Sequence, residues 1–167
     1  MPAGPPENLK PPSESHWYVV ETKPQKEDIA SVYLNSLPGV ISYLPTADKK
    51  PFFGNYLFIR CNVNEVGLPN LRFGLGLKGG IIAVGDEPVI ISDEVITKIK
   101  QRLSNLSYLD SKDLPLGLND DVFIIKGPFK GYVGSIYELR SKKIVVTIQS
   151  GSQLKKIELD PRDVKYF

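Results

Sequence analysis

After residue 118 the chain never runs far without a turn. Gly127-Pro128, Ser141-Lys142, Ser150-Gly151 and Asp160-Pro161 cut it into five apolar stretches, 122–125, 132–139, 144–148, 154–159 and 164–167. None is long enough for an ordinary helix. The stretch 144–148 is β-branched throughout, which costs side-chain freedom in a helix and suits a pleated surface. Five short strands in so few residues favour a closed sheet, because closure removes exposed edges. The expectation for residues 118–167 is a small five-stranded β-barrel rather than a helical hairpin.

The preceding residues follow another rhythm. An apolar strand at 17–20 ends at Lys23-Pro24. Ile29, Val32, Tyr33 and Leu37 then recur at helical spacing until Pro38-Gly39 stops them. Strands are expected at 40–44 and 55–60, a short helix at 69–75 broken by the glycines after it, and a fourth strand at 81–84. Ser92 is suited to cap a helix whose first turn holds Asp93 and Glu94 and whose apolar face carries Val95, Ile96, Ile99, Leu103 and Leu106. The order β-α-β-β-(α)-β-α predicts an α+β domain over 16–106, an antiparallel sheet with flanking helices. Residues 1–15 hold five of the 14 prolines and read as a disordered Pro-rich head. Residues 107–117, polar and proline-containing, read as a linker.

Composition narrows the function classes. One histidine, His16, and one cysteine, Cys61, cannot by themselves build a zinc site or an internal disulfide. No phosphate-binding G-x-x-x-x-G-K-[ST] run and no G-x-S-x-G run is present. The expectation is a chain with no catalytic residue, metal or cofactor, and so not an enzyme. The apolar runs are far short of the ~20 residues that cross a bilayer. With no secretory signal, a cytoplasmic protein without membrane contact is expected. A formal net charge of +2 leaves any basic face to be local.

Two motifs carry a resemblance. KGPFKGYVG, with Gly127, Phe129, Gly131 and Gly134, resembles the KOW motif. WYVVETK (17–23) and FFGNYLFIR (52–60) resemble the NGN domain of NusG-type transcription factors, and the order of elements is similar too. The resemblance covers residues 16–167 and implies a monomeric elongation or antitermination factor, an NGN domain followed by an SH3-like KOW barrel. It implies that Phe53, Tyr56, Tyr18 and Glu21 contact the clamp helices of the largest RNA polymerase subunit, with Lys49 and Lys50 in a loop near polymerase. It further implies that Lys23, Lys26, Arg72 and Lys78 contact non-template DNA. Phe123, Ile124 and Phe129 would line a KOW groove for the termination factor Rho or a ribosomal protein. Where the family usually has proline, Gly54 stands, and Gly54-Asn55-Tyr56 resembles the specialised branch typified by RfaH. The alternative is a ribosome- or RNA-binding KOW protein.

The residues themselves leave choices open. Strand alternation puts Tyr56, Phe58 and Arg60 on one face. Arg60 needs water, so that face is expected to be partly open, yet plain core packing also accounts for Phe53 and Tyr56. Solvated surface charge equally accounts for the lysines.

Overall fold

The computed structural model describes residues 15–84, 87–104, 117–150 and 152–167. The expected head, apart from Ser15, and the expected linker, apart from Gly117, lie outside the described residues. In chain order the N-terminal part reads β1 (His16–Thr22), α1 (Glu27–Ser36), β2 (Ile41–Tyr43), the small hairpin β3 (Thr46–Ala47) and β4 (Lys50–Pro51), β5 (Tyr56–Cys61), α2 (Val63–Val66) and α3 (Leu68–Arg72). Then come β6 (Leu77–Ile81), a second small hairpin β7 (Ala83–Val84) and β8 (Glu87–Pro88), β9 (Ile90–Ile91) and α4 (Asp93–Ser104). The sheet runs β2-β5-β1-β6, with β9 also on β1, and all pairings are antiparallel.

Strands β1 and β5 are apolar on both faces, and both faces are covered. Tyr18, Val20, Leu57 and Ile59 pack with Ala30 and Leu34 of α1 and Leu71 of α3. Trp17, Val19, Tyr56 and Phe58 pack on the opposite side with Ile96 and Ile99 of α4. Ser92 caps α4 as expected, its hydroxyl accepting from the Val95 amide at 3.3 Å. The ammonium of Lys100 lies 5.0 Å from the Tyr43 ring and 5.9 Å from the Trp17 ring, a cation–π arrangement that seats the solvent side of α4 on the sheet edge.

Three details differ from the sequence reading. Helix α1 exists, but its buried residues are Ala30 and Leu34, while Ile29 is 46% and Val32 72% exposed. The inward stripe is Ala30, Tyr33, Leu34 and Leu37, a rotation that uses the small Ala30 to bring the helix backbone close to the sheet. The fourth strand begins earlier, at Leu77 within the glycine run, because the β1 edge supplies partners there. The aromatic face expected to be partly open is closed: Phe53 is 1% and Tyr56 3% exposed. Arg60 reaches solvent sideways and pairs with Asp93 at 2.8 Å.

The C-terminal part comprises β10 (Asp121–Ile124), β11 (Val133–Leu139), β12 (Ile144–Ser150), β13 (Gln153–Leu159), a 3-10 turn at Pro161–Asp163 and β14 (Val164–Tyr166). These form one antiparallel sheet in the order β13-β12-β11-β10-β14. Val122, Ile124, Ile136, Val146 and Ile148 form its own core. The β-branched run sits in β12, as its composition requires. Among the described residues no helix is long and apolar enough to cross a membrane.

The position of the α1 stripe has a direct test. Leu34→Ala lowers unfolding stability by about 2–5 kcal/mol, whereas Val32→Ala changes it by less than about 0.5 kcal/mol. Denaturant titration of both variants measures the contrast, and equal losses would refute this packing.

Candidate partner-binding site at the contact between the two sheets

The turn before β5 positions the aromatic residues. Gly54 has φ +67°, a left-handed conformation open to glycine and closed to proline, whose ring holds φ near about −65°. Asn55 fastens this turn to the end of β1: its side-chain amide donates to the Thr22 carbonyl at 3.0 Å, and its backbone carbonyl accepts from the Thr22 backbone amide at 2.8 Å. Phe52 and Phe53 are thereby set edge to face, centroids 4.8 Å apart, beside Phe58.

The C-terminal sheet sits on this group. Phe123 of β10 is fully buried, with its ring 4.7 Å from Phe53, 5.2 Å from Tyr56 and 6.1 Å from Phe58. Phe167 adds an edge contact to Phe53 at 5.9 Å. Each such ring pair contributes about 0.5–1.5 kcal/mol beyond simple area burial. Gly131 marks the closest approach: a Cβ there would lie 2.8 Å from the Ile82 side chain and 3.5 Å from the Tyr56 ring. Only bare backbone fits.

Charged groups rim the apolar centre. Lys130 donates to Glu21 at 3.1 Å, and Lys98 of α4 donates to Asp121 at 2.6 Å. Both lysines are about half exposed, so each pair adds about 0–1 kcal/mol and mainly sets orientation. The Lys165 ammonium lies 4.2 Å from the Phe52 ring, and burial pulls its pKa below the usual lysine range. Burial, helped by the nearby Glu21 charge, raises the Tyr56 phenol well above its ordinary value. The Asp121 hydrogen bond and charge raise Lys98.

Three of the four residues marked for polymerase therefore come together here: Glu21, Phe53 and Tyr56. Tyr18 does not join them. It faces the helix-side core, where burial and then Cys61 push its phenol up to about 12. The three C-terminal candidates separate as well. Phe123 enters the contact, Ile124 packs in its own sheet's core, and Phe129 lies against Tyr132 at 5.8 Å. Lys23 and Arg72 line one cleft, and the Lys23 amide donates to the Gly76 carbonyl at 2.8 Å. Lys26 and Lys78 are exposed, as are Lys49 and Lys50 at the β3–β4 turn.

Sequence reading missed Phe167, Lys98, Lys130, Lys165 and Ile82 as parts of this contact. One signal was present. Four consecutive apolar residues, 122–125, do not alternate as a strand with one wet face should, so β10 has two faces to bury.

Residues 15–100 match the family model described as transcription termination factor NusG. No curated protein matches the chain significantly. Among solved structures, the chain is similar to Thermotoga maritima NusG, in a study of its domain interaction, at 20% identity and a TM-score of 0.43, covering 90% of this chain and 96% of that one. It is also similar to a chain of the MjSpt4:Spt5 complex in conformation B, at 16% identity and a TM-score of 0.37, covering 90% and 95%.

The contact should respond to alkaline pH. Tyr56 and Lys98 both have pKa values raised by the folded state. Their stabilisation is complete below the unfolded values, about 10 for Tyr and about 10.4 for Lys, and is lost as pH rises through the folded ones. Tyr56 dominates, since Lys98 is largely solvent-exposed. Phenolate absorbance followed through an alkaline titration should show late-ionising tyrosines, Tyr56 and Tyr18 among them, and Phe123→Ala should bring Tyr56 down toward the ordinary value while Tyr18 stays high. An unchanged titration in that variant would refute the shielding of Tyr56 by Phe123.

Proposed function

The chain belongs to the NusG family of non-enzymatic transcription elongation factors, and from that premise we propose that its N-terminal unit docks on RNA polymerase through Phe53, Tyr56 and Glu21. In this reading residues 16–106 act as the NGN domain and residues 118–167 as an SH3-like KOW barrel that offers Phe123 and Phe129 to a second partner, Rho or a ribosomal protein. The target on polymerase is the clamp-helix pair of the largest subunit. Holding the clamp shut would disfavour paused states, a population shift rather than a chemical step. Lys23, Lys26, Arg72 and Lys78 contribute phosphate contacts to the non-template strand, which add affinity without reading sequence.

One observation carries the reading. Phe53 and Tyr56, with Glu21 at their rim, lie together in one patch, and the cover over that patch is another part of the same chain. An apolar surface of this kind must be covered by something. Here Phe123 covers it while the molecule is alone, so polymerase binding requires the C-terminal sheet to move away. The observed affinity is then the intrinsic affinity multiplied by the fraction of open molecules.

Two substitutions that loosen the same contact should have opposite effects. Phe123→Ala removes the cover and leaves the patch intact, so affinity for core polymerase rises by about tenfold or more, every ~1.4 kcal/mol of lost closure giving a factor of ten. Tyr56→Ala also removes part of the closed contact, yet it damages the docking patch, so affinity falls. Biolayer interferometry on core polymerase, with pause lifetimes measured in parallel, reads both. The reading fails if neither wild type nor Phe123→Ala binds at micromolar concentration and pausing is unchanged.

A further inference from the structure

The face of β1 turned away from Phe123 borders a cavity of its own. Trp17 and Val19 lie in the core that holds Phe123, and Tyr18 lies in the opposite, helix-side core. His16, two residues before Tyr18 on an extended strand, shares its side. Ile90 pairs with Tyr18 across β9 and β1 and points the same way. With the α2–α3 connection and β8, these residues surround an open cavity of about 630 Å3, a size suited to a small molecule.

The walls of this cavity limit what it can hold. Val63, Leu68, Pro88 and Ile90 make its sides apolar. Glu87 places a carboxylate on its exposed rim. No lysine or arginine is among the described residues that line it, in a chain with 21 of them against 19 Asp and Glu. A phosphate or carboxylate would meet no counter-charge there, only repulsion from Glu87. Tyr18 is an independent sign of a ligand. It is 5% exposed, yet its hydroxyl has no hydrogen-bond partner among the described residues. Taking a hydroxyl out of water without a partner costs free energy, and a phenylalanine would fill the same space without that cost. A polar group left unpaired at a cavity wall is accounted for when a ligand supplies the partner.

We infer that this cavity binds a small organic cation, an alkyl guanidinium or alkylammonium. Its charged head donates to the Glu87 carboxylate and to the Tyr18 hydroxyl oxygen, beside the His16 ring. Its alkyl stem lies along Leu68, Pro88 and Ile90. Carboxylate and phenol oxygens are acceptors that suit a cationic donor, and apolar walls suit a short hydrocarbon stem. The site does not rest on the polymerase reading, because it lies on the other face of the sheet from Phe53 and Tyr56.

Proton NMR on the tag-free full chain at fixed pH tests this. His16 is the only histidine in the sequence, so its ring protons report occupancy at this one place. The probes are butylguanidine, its uncharged isostere butylurea, and butyrate as the anion. Butylguanidine should shift the His16 signal saturably and bind about tenfold tighter than butylurea, while butyrate leaves the signal in place. Tyr18→Phe deletes the hydroxyl alone. It should weaken butylguanidine about fivefold or more, yet melt at or above the wild-type temperature, since the hydroxyl has no partner to lose. Glu87→Gln, on the exposed rim, should fold as wild type and bring butylguanidine down to the affinity of butylurea. The proposal is overturned by the absence of a saturable His16 shift, by equal affinity for butylurea, or by stronger binding of butyrate. It is overturned equally by a Tyr18→Phe variant that binds like wild type, or by one that melts lower, because the hydroxyl would then serve the fold. Polymerase binding is read in a separate assay, so failure there does not mimic failure here.

Discussion

The ring of Phe123 is the apolar centre of the contact between the two sheets. The central strands β1 and β5 are apolar on both faces, and a sheet of that kind is stable only between two covering layers. Helices α1 to α3 supply one layer. On the other face Ile96 and Ile99 of α4 supply part of the cover, and Phe123 completes it against Phe53, Tyr56 and Phe58. The choice of Gly131 and the rim of Lys130, Lys98 and Lys165 all serve to bring that ring close and in one orientation.

The make-up of this contact suits it to opening as proposed. Its centre is apolar and aromatic, which suits either an internal cover or an external partner. Its rim is two partly exposed ion pairs, which are weak in water and screened by salt. Each half keeps a core of its own, Val122 and Ile124 among them in the C-terminal sheet, so separation need not unfold either. In the proposed reading the surface that docks on polymerase is also the surface on which the chain folds back, so the two uses would exclude one another.

Much of the architecture was legible because it is local. The Ser92 cap and the Pro38-Gly39 stop act over a few residues, and so does the β-branched run in β12. Errors arose where local signals were balanced. Ile29 and Val32 outrank Ala30 in hydrophobicity, yet the helix turns Ala30 inward, because close approach to the sheet rewards a small side chain there. The glycine run at 76–80 reads as a break, yet residues 77–80 become part of β6, because the free side of β1 supplies hydrogen-bond partners that no propensity records. Gly54 was visible as a departure from the family's proline, and its φ of +67° gives the departure a cause in backbone geometry.

The residues alone marked the antiparallel strands and most of their turns, because strand period, caps and turn chemistry are set by neighbours within a turn or two of each other, and the motifs WYVVETK, FFGNYLFIR and KGPFKGYVG carried the resemblance to the family. The resemblance marked Glu21, Phe53 and Tyr56 as one group together with Tyr18, which the structure places in the opposite core. Whether that group faces water or protein was beyond both. It depends on a ring about seventy residues further along, and alternation within β5 is the same whether Tyr56 meets solvent, polymerase or Phe123. Only the tertiary structure decided that the cover comes from the chain itself, because burial is a property of the whole packing and not of any segment.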